Sequence, residues 1–287
     1  MIVWNSRMLE ICEVIGLENL KFSPINPRGF RKPDITWEYT EEEKCIVNDL
    51  SSHPVFFFER MIEEKDAHKK RVFLHDFQKV ALERSIEKNF LQLVWPRLMG
   101  ASMLARSLAM FWSFQGKRVA IVARQGSTLA ETLEKIKQAY IDAPLAFKPG
   151  VVYWNKFSVK FDNGGEIECL SRNFVSKSFD VVIADLPHEW QIANVMPCLP
   201  KGAYFLLIDK TPNDHFSQHT ETWKSYPGRD DIWKQHEIEN LGSTEAFVRE
   251  YGEDYVSGND IIFKTEEIRS KINAAIDELL ELHKKRG

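Results

Sequence analysis

The sequence predicts an α/β protein built on a doubly wound, mostly parallel sheet, and three observations carry that prediction. Short apolar runs alternate with segments of helical periodicity: FLQLVW (90–95), RVAIVAR (118–124), VVIAD (181–185) and YFLLID (204–209). Continuous runs of this kind mark strands covered on both faces, as strands of a parallel sheet are. A glycine turn, Leu98-Met99-Gly100-Ala101-Ser102, follows the first run and leads into MLARSLAMFWSF, whose apolar residues recur three and four apart. Two of the runs end on aspartates, Asp185 and Asp209, and ligands of doubly wound sheets bind beyond the carboxyl ends of the strands.

In chain order, residues 1–70 read as an N-terminal extension. Within it Pro24, Pro27 and Pro33 predict an extended connector and not a packed element, and YTEEEKCIVNDLSSHPVFFFERMIEE has a helical pattern. Residues 71–257 form the expected core, opened by the helical LHDFQKVALERSIEKN. In STLAETLEKIKQAYIDAP, Ser127 with Glu131 four residues on predicts an N-cap at the serine. VVYWNKFSVKFDNGGEIECLS carries two alternating runs around Asp162-Asn163-Gly164-Gly165, a hairpin signal. TEAFVREYGE, after Gly242, is helical again. Residues 258–287 read as a C-terminal tail in which Glu266 to Lys285 places Ile268, Ile272, Ile276, Leu279 and Leu280 on one stripe. That stripe is expected to dock on the chain's own core or on a partner.

Composition narrows the function classes. A chain of 287 residues, 44% hydrophobic, can bury one large core or two modest ones. A net charge of −4 gives no global attraction for nucleic acid, so any DNA contact must be local. Cys12, Cys45, Cys169 and Cys198 form no Cys-x-x-Cys pair, which argues against a zinc site or a disulfide framework and for a reducing, intracellular setting. MIVWNSRMLEICEVIGL lacks the apolar centre of a signal peptide, and no run of about 18 apolar residues occurs, so no membrane association is expected.

The order of motifs is more specific than any one of them. LHDFQKVAL, the Arg97 loop, Trp154-Asn155-Lys156 with Asp162-Asn163-Gly164, VVIAD, and Thr211-Pro212-Asn213 within LLIDKTPND together resemble the ATPase domain of the large terminase. That protein is the DNA-packaging motor of tailed phages, and the likeness is to the T-even type, from about Trp37 to Ser257. The resemblance implies a P-loop NTPase fold of the terminase type, without the family's nuclease domain.

It also implies roles for particular residues. Gln78 matches the glutamine that reads the adenine edge, Arg97 the arginine of the phosphate loop, Gly100 its glycine, and Ser102 the hydroxyl that ligates Mg²⁺. Ala101 stands where the loop lysine belongs. Asp185 matches the metal-associated aspartate, but Leu186 replaces the glutamate that orients the attacking water. Asp209-Lys210-Thr211 replaces the motif that couples hydrolysis to movement, and Ser176-Lys177 replaces an Arg-Gly pair. Phosphoryl transfer depends on positioning and electrostatics, so loss of both lysine and glutamate predicts a slow or inactive enzyme holding ATP and Mg²⁺ weakly. Lys177 or Lys210 would supply a substitute charge, against the plainer reading of a solvated lysine.

Weaker candidates lie elsewhere. His215 and His219, four apart, would share a helix face as metal ligands near Asp209 or Asp214, against the plainer reading of a solvated loop. Asp185, Glu189 and Asp209 are a conceivable Mg²⁺-dependent nuclease set, or remnants of the nucleotide site. Lys65 to Arg71 is the densest basic run, a local DNA contact or a solvated helix end. Trp95, Phe111, Trp112 and Phe114 are expected in the core.

The reading that follows is a stand-alone relative of the terminase ATPase domain. Catalytically impaired, it would act as a binding or regulatory subunit in viral DNA packaging, in the cytoplasm of the infected host. Its expected partners are terminase subunits, the portal or double-stranded DNA. The alternatives are an active packaging ATPase whose deviant loop is completed by a partner subunit, and a structural protein that keeps only the fold.

Overall fold

The computed structural model describes residues 3–4, 24–62, 71–171 and 178–252. The tail helix expected at 266–285, the basic residues 65–70, and Ser176-Lys177 lie outside the described residues. Eight described strands form one sheet in the order β10 (Ser217–Thr220), β3 (Phe90–Val94), β9 (Tyr204–Ile208), β8 (Val181–Asp185), β4 (Arg118–Ala123), β7 (Glu166–Leu170), β6 (Ser158–Phe161), β5 (Val151–Trp154). From β10 to β7 every pairing is parallel; β6 and β5 add antiparallel at the far edge. A separate two-stranded pairing joins β1 (Val3–Trp4) to β2 (Thr36–Trp37).

Helices flank this sheet, as the sequence predicts, but unequally. α1 (Glu41–Ser52), α2 (Pro54–Met61), α3 (Asp76–Glu87), α4 (Ala101–Phe114) and α5 (Gly126–Asp142) cover one face, and α6 (Glu189–Val195) lies on the other. The strands alternate accordingly: Val119, Ile121, Val181, Ile183, Leu206 and Ile208 enter the large core, while Ala120, Val122, Val182, Ala184, Phe205 and Leu207 enter the smaller one. α7 (Asp231–Leu241) and α8 (Thr244–Tyr251) follow β10 and pack on a third cluster of Trp223, Phe247 and Tyr251. No helix of the described residues is long and apolar enough to cross a membrane.

Several local expectations change. The proline-containing stretch is packed, not a bare connector: Phe30 is buried and stacks on Trp154 at 5.1 Å, and Val151 donates its amide to the Arg31 carbonyl at 2.9 Å. Prolines exclude regular structure but not burial, and Asn26 closes the turn there by accepting from the Arg28 and Phe30 amides. The segment around it breaks into α1 and α2 at His53-Pro54, because Pro54 has no amide to donate and sits at a helix start. α5 begins one residue before Ser127, with Gln125 as N-cap and no side-chain cap. The run before Asp162 is two strands, since Asn155 turns the chain by accepting from the Phe157 and Ser158 amides.

The hairpin between β6 and β7 forms as predicted and has a task at the end of α4. Asn163 donates to the Phe114 carbonyl at 2.8 Å, satisfying a helix-end acceptor. Trp95, Phe111 and Trp112 are buried and Phe114 packs on the same core, with Phe57 edge-on to Phe111 and Phe114 at 5.6 and 5.5 Å. Burial of one such ring contributes about 2–3 kcal/mol, so this contact anchors the first flanking helices to α4.

Candidate functional site

The carboxyl ends of β3, β9 and β8 gather the residues singled out in the sequence. Between β3 and α4 the chain turns through Gly100, the N-cap of α4, at φ 89°. A side chain there is disfavoured by the left-handed backbone and by space: a Cβ would stand 2.5 Å from Gln78 Nε2. The next residues start the helix, where the first amides have no intrahelical acceptor and favour an anion.

Ser102 and Asp185 come together directly. The serine hydroxyl donates to Asp185 Oδ2 at 2.6 Å, joining the first turn of α4 to the end of β8. Burial raises the Asp185 carboxyl above its ordinary range, against the lowering effects of that hydrogen bond and of the Arg106 guanidinium. A hydroxyl and a carboxylate side by side are a donor set suited to a hard divalent cation. The phosphate half fits less well: Ala101 brings no charge.

Gln78 is buried, and its amide is spoken for at both ends. Oε1 accepts from the His75 amide at 2.9 Å and Nε2 donates to the Met99 carbonyl at 2.9 Å. The glutamine therefore fastens the start of α3 to the Gly100 turn. Arg97 is exposed and points to α8, where its guanidinium lies 3.4 Å from Glu250 Oε2. Lys210, just after Asp209, turns the same way: Nζ donates to the Arg249 carbonyl at 3.0 Å.

Backbone strain concentrates here. Among the described residues, Asp34, Leu98 and Leu186 are the non-glycine positions with positive φ, and the last two flank this site at 60° and 46°. A left-handed leucine costs on the order of 1–3 kcal/mol and persists where its surroundings impose it. Leu186 is held by its amide on the Ile208 carbonyl at 2.9 Å and by Arg124 Nε on its own carbonyl at 2.8 Å. An exposed leucine thus occupies the position that the terminase resemblance assigns to a carboxylate.

The metal alternatives do not assemble. His219 lies in β10, a strand, with Nε2 3.1 Å from Glu221 Oε1, and burial lowers its pKa; His215 is in the preceding turn. They share no helix face, because β10 pairs with β3 as an edge strand. Among the described residues no three His, Cys, Asp or Glu side chains form a metal cluster, so the set Asp185, Glu189 and Asp209 is not one either. The Thr211-Pro212-Asn213 turn is pinned by the buried Gln92, which donates to the Thr211 carbonyl and accepts from the Asn213 amide, each at 2.7 Å.

Sequence reasoning missed the grip that the last described helices have on the loop. Arg229 donates to the Leu98 carbonyl at 3.0 Å and contacts Met99 Sδ at 3.3 Å. Its guanidinium lies over Tyr226, Trp233 and Tyr251 at 4.4, 4.7 and 5.7 Å. Arg229 and Leu98 are 131 positions apart and Arg97 and Glu250 153, so no local pattern could have announced these contacts.

Comparison with known proteins agrees with this geometry at the level of fold. No protein-family model matches the sequence. The ATPase domain of the large terminase of Thermus phage P74-26 superposes with a TM-score of 0.50 at 18% identity, over 68% of this chain and 96% of that one. The chain has the fold of a large-terminase ATPase domain. The large terminase of bacteriophage HK97 matches over 55% of this chain and only 37% of its own length, at 14% identity and a TM-score of 0.48. The UvsW helicase of bacteriophage T4 matches at 14% identity and a TM-score of 0.41, covering 74% of this chain and 71% of its own.

Proposed function

We propose that this chain is a relative of the terminase ATPase domain with an impaired nucleotide site, serving as a binding or regulatory subunit in viral DNA packaging. Terminase subunits, the portal and double-stranded DNA are its candidate partners, in the infected host cell. One observation carries the reading. The Ser102–Asp185 pair stands intact at 2.6 Å, while the lysine and glutamate positions beside it hold Ala101 and Leu186.

In this reading Gln78, Arg97, Gly100, Ala101 and Ser102 form the nucleotide-binding set, and Ser102 with Asp185 would hold Mg²⁺. A bound metal ion would neutralise phosphate charge. The chain itself does less than a complete site. Gly100 and the start of α4 present amides to an anion, and Arg97 is the loop's remaining charge. The Leu186 side chain has no group that can accept a hydrogen bond from water, so no side chain at that position orients a nucleophile. Loss of a single preorganised electrostatic group costs about 10²–10³ in rate, and two are lost here.

Calorimetric titration of the full chain with Mg-ATP and with ADP tests the proposal. The expected result is binding weaker than about 10 µM, with less than a threefold gain from the γ-phosphate and no turnover above background. Submicromolar ATP binding, with turnover abolished by Arg97→Ala, would replace it with an active motor whose loop is completed by another subunit.

A further inference from the structure

Glu250 sits in the last turn of α8, where a carboxylate is out of place on helical grounds. A helix end already carries partial negative charge and carbonyls without intrahelical donors. The compensation comes from the nucleotide edge. Arg97 donates its amide to the Glu250 carbonyl at 3.2 Å and sets its guanidinium 3.4 Å from Oε2. Lys210 donates from Nζ to the Arg249 carbonyl at 3.0 Å and lies 3.6 Å from the same Oε2. The cation of the phosphate loop and the cation that follows Asp209 thus converge on one carboxylate oxygen.

Resting on the nucleotide-site reading above, we propose that Glu250 is an internal anion that takes up the charges of Arg97 and Lys210 and must be displaced before a polyphosphate can use them. A carboxylate oxygen and a phosphate oxygen offer a guanidinium the same charge-assisted hydrogen bond, so the two compete for one donor. The contact is built to exchange. The Arg97, Lys210 and Glu250 side chains keep 60%, 44% and 30% of their exposure, and ion pairs this open to water are weak. A triphosphate, with several charges and contacts to the loop amides, can outcompete it. Displacement frees the end of α8, which couples occupancy of the site to that helix.

The probe is inorganic triphosphate, titrated into the full chain at low ionic strength. Glu250→Gln is expected to bind it about 5-fold more tightly than the natural chain, the equivalent of one exposed ion pair. Adding Arg97→Ala together with Lys210→Ala should erase the gain. Hydrogen exchange on the natural chain gives a second readout that needs no variant: triphosphate should speed exchange of the amides in α8. Unchanged affinity in Glu250→Gln, a gain that survives the joint loss of Arg97 and Lys210, or unaltered exchange in α8 would each overturn the proposal. The parent reading fails separately. If Glu250→Gln gains triphosphate binding but neither protein prefers ATP or ADP to triphosphate, the internal anion stands and the nucleotide reading falls. If the natural chain binds ATP and Glu250→Gln changes nothing, only the internal anion falls.

Discussion

Two helices of this fold start in the same way, and only one of them drew notice in the sequence. α3 begins His75-Asp76-Phe77-Gln78 and α6 begins His188-Glu189-Trp190-Gln191. In both, the glutamine Oε1 accepts from the amide of the histidine that caps the helix, at 2.9 and 2.7 Å. In both, Nε2 crosses to backbone carbonyls of a neighbouring segment: Met99 for Gln78, Ala123 and Ser171 for Gln191. Gln78 stood out through the terminase resemblance, as a reader of adenine. Gln191 has no such association and shows what the local geometry demands by itself, a buried amide that satisfies one end of a helix and one loop. Bracing alone is therefore a sufficient reason for a glutamine at position 78, and any base-reading role is additional to it.

The largest expected effect tests the brace from its other side. Gly100→Ala should destabilise the chain by about 3 kcal/mol in chemical unfolding, combining the left-handed backbone with the contact against Gln78. In a Gln78→Ala background about 1–2 kcal/mol of that should return, because the steric part disappears; strict additivity would show that the two do not touch. Next come the glutamines themselves. Gln191→Ala removes the partner of two carbonyls and an amide, the Ala123 carbonyl among them in a buried bond, and should cost about 3 kcal/mol, against about 2 kcal/mol for Gln78→Ala. The comparison breaks if the two differ in ligand response: a pure brace predicts that Gln78→Ala weakens ATP and inorganic triphosphate equally, whereas selective loss of ATP means that Gln78 reads the base.

The smallest effect concerns Asp185. Burial raises its carboxyl above the ordinary 3.8, so the folded chain holds that proton more tightly than the unfolded one. Stability from this group therefore falls as pH rises from 3.8 through the folded-state value, and stays lower above it. Asp185→Asn removes the loss and should raise Tm at pH 7 by about 2 °C, with the gain vanishing below that window. An unchanged or lower Tm at neutral pH would show that the ionised carboxylate is compensated in the folded chain.

The sheet was legible in the sequence because its strands are buried on both faces, and burial writes itself as unbroken runs such as VVIAD and YFLLI. The hairpin was legible through its turn residues, and the Gly100 turn through its place between strand and helix. What could not be read depends on partners far along the chain. The packing of Phe30 on Trp154 hides behind prolines, and Asn155 breaks a strand by an amide turn that leaves the alternating pattern intact. At the site, Arg97 and Lys210 are visible as charges, but their commitment to Glu250 is set by where α8 comes to rest. For His215 and His219 the spacing suits a shared helix face and the plainer reading is a solvated loop, yet His219 lies in a strand, one that is short, polar and stabilised by pairing with β3.

The aromatic cluster under α7 and α8 carries one more implication. Trp223, Phe247 and Tyr251 form a core of their own, separate from the two that cover the sheet. Small independent cores melt locally at a lower free energy than the global one, and they melt as units. When this one opens, Arg97, Leu98 and Met99 lose their contacts with it together, since Glu250 and Arg229 leave at the same moment. A ligand that needs that opening is bound with its intrinsic strength divided by the rarity of the open form: one molecule open in about a hundred weakens apparent affinity about a hundredfold. The fit of Trp223 against Phe247 would then set how strongly such a ligand is held.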